Sequence, residues 1–267
     1  MARGWRRRRR RQDWLTRDLD NAEFMLRLTR WLASRWSRHD FDVGSILLDY
    51  TRRLNEAGRH DEALAALNEA IAIGRRHVHA KPLRYAPNLA AALLMKAHLL
   101  AELGHHEEAM SSAEGAVDIY RTLVPGDQVR FEPILFAALT SVGFWRHRRG
   151  EFDAALPPFE EAAVLARRLP ATRIADRAMA LNNLGAVLQE VGRISDALPP
   201  LEEAVAIRRR LLAEDRGRFE PDLIASLRNL EQALSGVGRY VEAVEVVDEL
   251  AALSRSSSPA ALEDGEH

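Results

Sequence analysis

Cysteine is absent from the 267 residues. Disulfides, thiolate zinc sites and cysteine nucleophiles are thereby excluded, and nothing in the composition asks for the oxidising environment of secretion. Lysine is nearly absent too: Lys81 and Lys96 are the only two among 38 basic residues, the usage of a GC-rich genome. No long apolar run occurs. The longest, from Leu89 to Met95, is far below the roughly 18 residues that would span a bilayer. The expectation is a soluble, cytoplasmic chain without membrane contact. There is also little net charge, since 38 basic residues face 39 acidic ones. That balance is uneven along the chain: residues 1–17 hold eight arginines against Asp13. The arginine run is not read as an export signal, because Gln12 to Asp18 stand where an apolar stretch is needed.

Motifs for chemistry are missing as well. A phosphate-cradling loop ends in Lys-Ser or Lys-Thr, but Lys81 precedes Pro82 and Lys96 precedes Ala97. His77-Val78-His79 and His105-His106 lack the spaced carboxylates of a metal site, so neither metal nor cofactor is expected. Glu160-Glu161 and Glu202-Glu203 are consecutive and do not face one another on a helix. The chain reads as a non-enzyme.

What is present is a repeat. Gly58, Gly104, Gly150, Gly192 and Gly238 share one local context, and an alanine stands five residues after each: Ala63, Ala109, Ala155, Ala197 and Ala243. A second alanine follows twelve after the glycine at Ala70, Ala116, Ala162 and Ala204, with Leu250 breaking the series. Such a period marks stacked supersecondary units. Pro87, Pro133 and Pro221 each lie 17 residues before their glycine and predict helix starts, after the connectors Arg84-Tyr85-Ala86, Arg130-Phe131-Glu132 and Arg218-Phe219-Glu220. Apolar residues at helical period, such as Leu181, Leu184, Val187, Leu188 and Val191, run from start to glycine. Each unit reads as helix, glycine turn, helix, with the glycine left-handed and the alanines allowing close backbone approach. Pro157-Pro158 and Pro199-Pro200 require the second helices to begin near Asp153 and Ser195.

With Leu184-Gly185 and Val142-Gly143 as the inner step, and Leu67, Phe159, Leu201 and Val247 as large residues between the alanines, the chain resembles tetratricopeptide repeat proteins. The kind is the long-repeat one, similar to kinesin light chains and to actinobacterial regulatory proteins. Repeats 1, 2 and 5 depart from the pattern, with Thr51, Ala97 and Glu231 in place of the inner glycine. The resemblance implies an all-α, right-handed superhelical solenoid of antiparallel helix pairs. Its expected organisation is a basic arm over 1–12, a capping helix over 13–40 and an array over 41–257. The five repeats fall at about 41–82, 83–128, 129–170, 171–216 and 217–257, and a disordered tail covers 258–267. Trp14, Leu15, Leu19, Ala22, Met25, Leu28, Leu32 and Trp36 have the spacing of a cap face.

The expected function is a protein-interaction scaffold in bacterial regulation, binding a peptide segment or partner protein in a concave groove lined by first helices. In the family this chain resembles, an asparagine before the Leu-Gly or Leu-Ala step grips the peptide backbone; Asn183 and Asn229 hold the matching places. Register adds Asn182, Gln189, Gln232, Arg52 and Arg228 to the groove, the last able to meet a carboxylate. Met95 and Phe144 are candidates for an apolar pocket there. Asp49, Met95 and Ser141 replace the asparagine in repeats 1 to 3. The alternative is a nucleic-acid-associated regulator in which Arg6, Arg7, Arg8, Arg9, Arg10 and Arg11, within a basic segment from residue 3 to 11, neutralise phosphates. Valines of the last helix, Val241, Val244, Val246 and Val247, have no following helix to cover them, which makes a homo-oligomer through that helix an open reading.

Overall fold

The computed structural model describes residues 19–31 and 40–256. The described residues are helical apart from short turns, and no strand occurs among them. α1 covers 19–31. It is followed by α2 (Asp40–Glu56), α3 (His60–His77), α4 (Pro82–Glu102), α5 (His106–Leu123), α6 (Gln128–Arg148) and α7 (Phe152–Ala166). A 3₁₀ turn, Ala171–Arg173, leads into α8 (Ile174–Glu190), and α9 (Ile194–Glu214), α10 (Arg216–Gly236) and α11 (Tyr240–Ser256) complete the described residues. The arm of 1–12, the outer parts of the expected capping helix and the tail of 258–267 lie outside the described residues. Contacts divide the chain into two compact units, 1–138 and 139–267, with the boundary inside α6.

The five repeated glycines end α2, α4, α6, α8 and α10. Their φ angles are 73°, 84°, 75°, 78° and 80°, and no other residue has positive φ among the described residues. The residue after each glycine donates its N–H five residues back: Arg59 to Leu54, His105 to Leu100, Glu151 to Arg146, Arg193 to Leu188 and Arg239 to Leu234, all at 2.8–3.0 Å. Each glycine N–H also reaches the carbonyl three residues before it. These two bonds satisfy helix-end carbonyls that would otherwise be orphaned, and the geometry demands the left-handed residue that glycine adopts without penalty.

The helix starts differ from the expectation. Pro87, Pro133 and Pro221 lie inside α4, α6 and α10, not at their first residues. The supposed connectors are the first turns themselves. The start signals are Pro82 at the head of α4 and the carboxylates Asp127 and Asp215, whose Oδ1 atoms accept from the N–H groups of Arg130 and Arg218 at 3.1 Å. An aspartate before a helix satisfies a donor that has no carbonyl partner, and this local bond sets the boundary five residues earlier. The internal prolines then cost only one hydrogen bond each, early in the helix. α7 and α9 begin at Phe152 and Ile194, so Pro157-Pro158 and Pro199-Pro200 also lie early in theirs.

In the first unit, α2 packs on α3, α3 on α4 and α4 on α5. The repeated alanines Ala63, Ala70, Ala109 and Ala116 are buried, as are Leu47, Leu54 and Leu67. Aromatics seal the junctions where a second helix meets the next first helix: the Tyr120 and Phe131 rings are 6.3 Å apart, and the His77 and Tyr85 rings 5.0 Å. α1 joins this unit through Leu19, Ala22, Leu26 and Thr29, which are buried, and through an Arg30–Glu69 pair with Nε to Oε1 at 3.0 Å. Met25 and Leu28, expected on the buried face, are instead half-exposed. The helix carries two apolar stripes on opposite sides, and their superposition in sequence hid which one packs.

In the second unit, α7 packs on α8, α8 on α9, α9 on α10 and α10 on α11. Its core joins Leu201, Val205, Leu223, Leu227 and Leu230. Inner glycines permit the closest approach. A Cβ on Gly185 would meet Leu201 Cδ2 at 2.6 Å, and one on Gly143 would meet Phe159 Cε1 at 2.7 Å. The small residue on the first helix and the large one sixteen places later on the second are thus two halves of a single contact.

Candidate functional site

The first helices of the second unit carry a polar arrangement that links two helices away from their ends. On α8, Asn182 Oδ1 accepts from Ser226 Oγ of α10 at 2.8 Å and from Asn229 Nδ2 of α10 at 3.1 Å. Two turns further along α8, Gln189 Nε2 donates to the Asn229 carbonyl at 3.2 Å. Behind this pair stands Arg208 of α9, which is 5% exposed, while Ser226 is fully buried. Arg208 Nη1 donates to the Asp222 carbonyl at 2.5 Å and to Ser226 Oγ. Burial pushes the Arg208 pKa down, and the Asp222 carboxylate opposes that shift. A buried cation of this kind is tolerable because carbonyl and hydroxyl oxygens take its protons.

The order of donors has a consequence. Ser226 Oγ accepts from Arg208 and so directs its own proton to Asn182, whose Oδ1 then holds two donors. With that oxygen occupied, Asn182 presents Nδ2, a donor. Asn229 uses Nδ2 on Asn182 and presents Oδ1, an acceptor. The pair thus keeps one amide donor and one amide acceptor on partly buried side chains. Asn183 lies beside Asn182 on α8, partly buried, while Arg228 and Gln232 on α10 are exposed. The residues named in sequence thus divide: Asn182, Gln189 and Asn229 are tied together across two helices, and Asn183, Arg228 and Gln232 lie beside them on the same two helices.

The remaining candidates have other surroundings. Phe144 on α6 is 48% exposed, with the Arg148 guanidinium 5.9 Å from its ring centre. In the first unit, Arg52 is exposed but paired on its own helix with Asp49 at 2.6 Å and Glu56 at 3.2 Å. The Asp49 hydrogen bond raises its pKa against a small desolvation. Its charge is matched locally. Met95 on α4 is partly buried in the same unit. There Asn88 Nδ2 of α4 donates to Ser45 Oγ of α2 at 2.9 Å. Arg6 to Arg11 lie outside the described residues.

Two features escaped the sequence reading. Ser226 and Arg208 complete the polar chain, yet an arginine within a charged helix and a serine within an apolar one carry no signal of their own. The paired glutamates also do more than face solvent: Glu160 meets Arg193 at 3.5 Å and Glu202 meets Arg239 at 3.0 Å. In both cases a second helix is tied to the arginine after the next glycine. Glu203 pairs with Arg177 and, at 3.4 Å, with Arg167. No group of three or more His, Asp or Glu among the described residues could hold a metal ion, and no helix among them is long and apolar enough to cross a membrane.

These features agree with direct comparison. Residues 135–210 and 90–122 each match the tetratricopeptide repeat family. The chain contains tetratricopeptide repeats. A further stretch, 45–91, matches anaphase-promoting complex subunit 5. No curated relative matches the sequence. Among solved structures, BtubC (BKLC) from P. vanneervenii is similar with a TM-score of 0.63 at 20% identity, over 95% of this chain and 93% of that one. A kinesin-light-chain-like protein from Podosopora anserina, with nearly identical TPR-like repeats, gives 0.58 at 23% identity over 83% of this chain and 99% of that one. MamA from Desulfovibrio magneticus RS-1 gives 0.54 at 19% identity over 80% and 97%. At these identities the likeness establishes the fold, an all-α tetratricopeptide solenoid. Stacked repeats of this kind serve as protein-interaction scaffolds.

Proposed function

We propose that the chain is a non-catalytic scaffold that binds an extended peptide segment of a protein partner, with α8 and α10 providing the polar contacts. The observation that carries this reading is the Asn182–Asn229 pair, oriented by Ser226 and Arg208 so that one amide donor and one amide acceptor remain. Every residue of an extended peptide offers one N–H and one C=O. A fixed donor–acceptor pair therefore matches the backbone whatever its side chains are. Arg228 adds a charge-assisted contact for an acidic side chain or a terminal carboxylate. A cysteine-free composition suits a reducing cytoplasm.

The test is selection of peptides from a displayed random library on the intact chain, followed by titration of the selected sequences against variants. Asn229→Ala and Asn183→Ala/Arg228→Ala should each weaken binding by about tenfold or more, with unchanged helical content. Selected peptides that bind these variants as tightly as the parent overturn the reading. Binding that disappears on deletion of residues 1–12 and depends on added nucleic acid supports the arginine-arm alternative instead.

A further inference from the structure

The last helix exposes a surface that every preceding second helix of its unit has covered. On α9, Leu198, Leu201 and Val205 are 9%, 0% and 0% exposed, packed in one cluster with Leu223, Leu227 and Leu230 of α10. Forty-six residues later, at the same repeat positions, stand Val244, Val247 and Ala251 of α11. Val244 and Val247 are 59% and 48% exposed, and Tyr240 and Val241 beside them 67% and 77%. This stripe is the face that would receive another helix with large apolar residues at the spacing of Leu223, Leu227 and Leu230, four and then three residues apart.

A second exposed stripe in the chain has that spacing. On α1, Phe24, Leu28 and Trp31 are 65%, 41% and 51% exposed, and they lie opposite the Leu19, Ala22 and Leu26 face that packs into the first unit. Charge favours joining the two stripes. Of the seven carboxylates in residues 240–267, Glu242 and Glu249 are paired with Arg239 and Arg209, while Glu245 and Asp248 flank the valines on α11 as exposed residues and Glu263, Asp264 and Glu266 follow in sequence, with Arg255 the one arginine of this stretch. Residues 1–17, leading into α1, hold eight arginines against Asp13. Pairing α11 with the α11 of another copy would instead set like charges against each other, which is costly.

We infer that the chain self-associates head to tail, the Phe24–Leu28–Trp31 stripe of α1 on one copy docking against the Tyr240–Val244–Val247 stripe of α11 on the next. Such an interface is heterologous: each copy keeps one free donor helix and one free acceptor face, so assembly continues beyond a dimer. It buries apolar area, and the opposite charges carried by the two end segments attract, so high salt weakens it.

Sedimentation equilibrium of the full chain over a concentration series tests this. The weight-average mass should rise past that of a dimer, and the rise should shrink in high salt. Phe24→Glu/Leu28→Glu and Val244→Glu/Val247→Glu each replace exposed residues, so circular dichroism should stay that of the parent while each variant alone remains monomeric. Mixing the two variants is the decisive arm, because one retains an intact α11 and the other an intact α1: a 1:1 dimer that grows no further is expected. A parent that is monomeric throughout overturns the inference. So does a parent that stops at a dimer lost only in the α11 variant, with no complex in the mixture, since that outcome means α11 pairs with itself.

Discussion

The same helix-pair backbone carries different chemistry in the two units. At the positions where α8 has Asn182 and Asn183, α4 of the first unit has Leu94 and Met95. Ser226 and Asn229 of α10 link to α8 through a chain that ends on buried Arg208, whereas α2 and α4 are joined by a bond from Asn88 to Ser45 with no buried cation behind it among the described residues. The junctions differ as well. Rings seal them in the first unit, while in the second Phe219 of α10 clusters with Ile207 and Leu211 of α9. Stacking demands small and large residues at a few positions and leaves the front of the first helices free to vary. The proposed binding residues therefore lie where packing makes few demands.

The largest expected effect probes the packing itself. Gly185→Ala gains about 1 kcal/mol of helix propensity but drives a Cβ into Leu201, an overpacking cost of about 3 kcal/mol. Overpacking wins, so chemical denaturation should show a net loss of about 2 kcal/mol. The first unit already holds the opposite solution, Ala97 facing the site of Ala113 sixteen residues on, both buried. Ala97→Gly should accordingly cost only about 1 kcal/mol, the propensity difference. Equal losses at the two sites would mean that Gly185 and Leu201 do not behave as one contact.

A comparable effect at high pH separates the junctions. Burial raises the Tyr120 pKa from its ordinary value of 10.0 to about 12, with Arg130 acting weakly against it. Because the folded value is the higher one, the stability tied to neutral Tyr120 is complete below pH 10.0 and is lost as pH rises toward about 12. The loss should approach on the order of 2 kcal/mol. Tyr120→Phe should flatten this part of the alkaline denaturation profile. A variant that follows the parent through that range would place the sensitivity on another group.

Ser226→Ala tests the polar chain. It removes one acceptor from Arg208 and one donor from Asn182, each of which keeps a second partner, so a loss of about 1 kcal/mol is expected. Peptide affinity should fall too, because Asn182 is no longer held in one orientation. Asn183→Ala/Arg228→Ala is expected to change stability least, within about 0.5 kcal/mol, while weakening peptide binding. A large stability loss there would assign those two residues to the fold and leave the front of α8 and α10 without separable binding groups.

The repeat was legible in sequence because it rests on single residues with single physical roles. Left-handed φ at Gly58 through Gly238, and buried alanines five residues later, require residue types that few others replace. Helix starts were misread where a conspicuous proline outweighed an inconspicuous aspartate, since an internal proline is tolerable when a cap such as Asp215 begins the helix earlier. At the candidate site, register located Asn182, Asn183, Asn229 and Arg228 on the first helices, but a register says nothing about donors and acceptors. Which amide atom of Asn182 faces outward depends on Ser226, 44 residues away, and on Arg208, on a different helix from either.

The sequence by itself determined the all-helical repeat, its period, its glycine turns and the acidic and basic ends, because each follows from local backbone preference or from counting charge. Only the tertiary structure decided which stripe of α1 is buried, that α11 is left uncovered, and that the amides of α8 and α10 pair with each other before they can meet anything else. Those outcomes depend on which helices become neighbours, and burial and hydrogen bonding between residues distant in the chain are properties of the neighbours rather than of the residue.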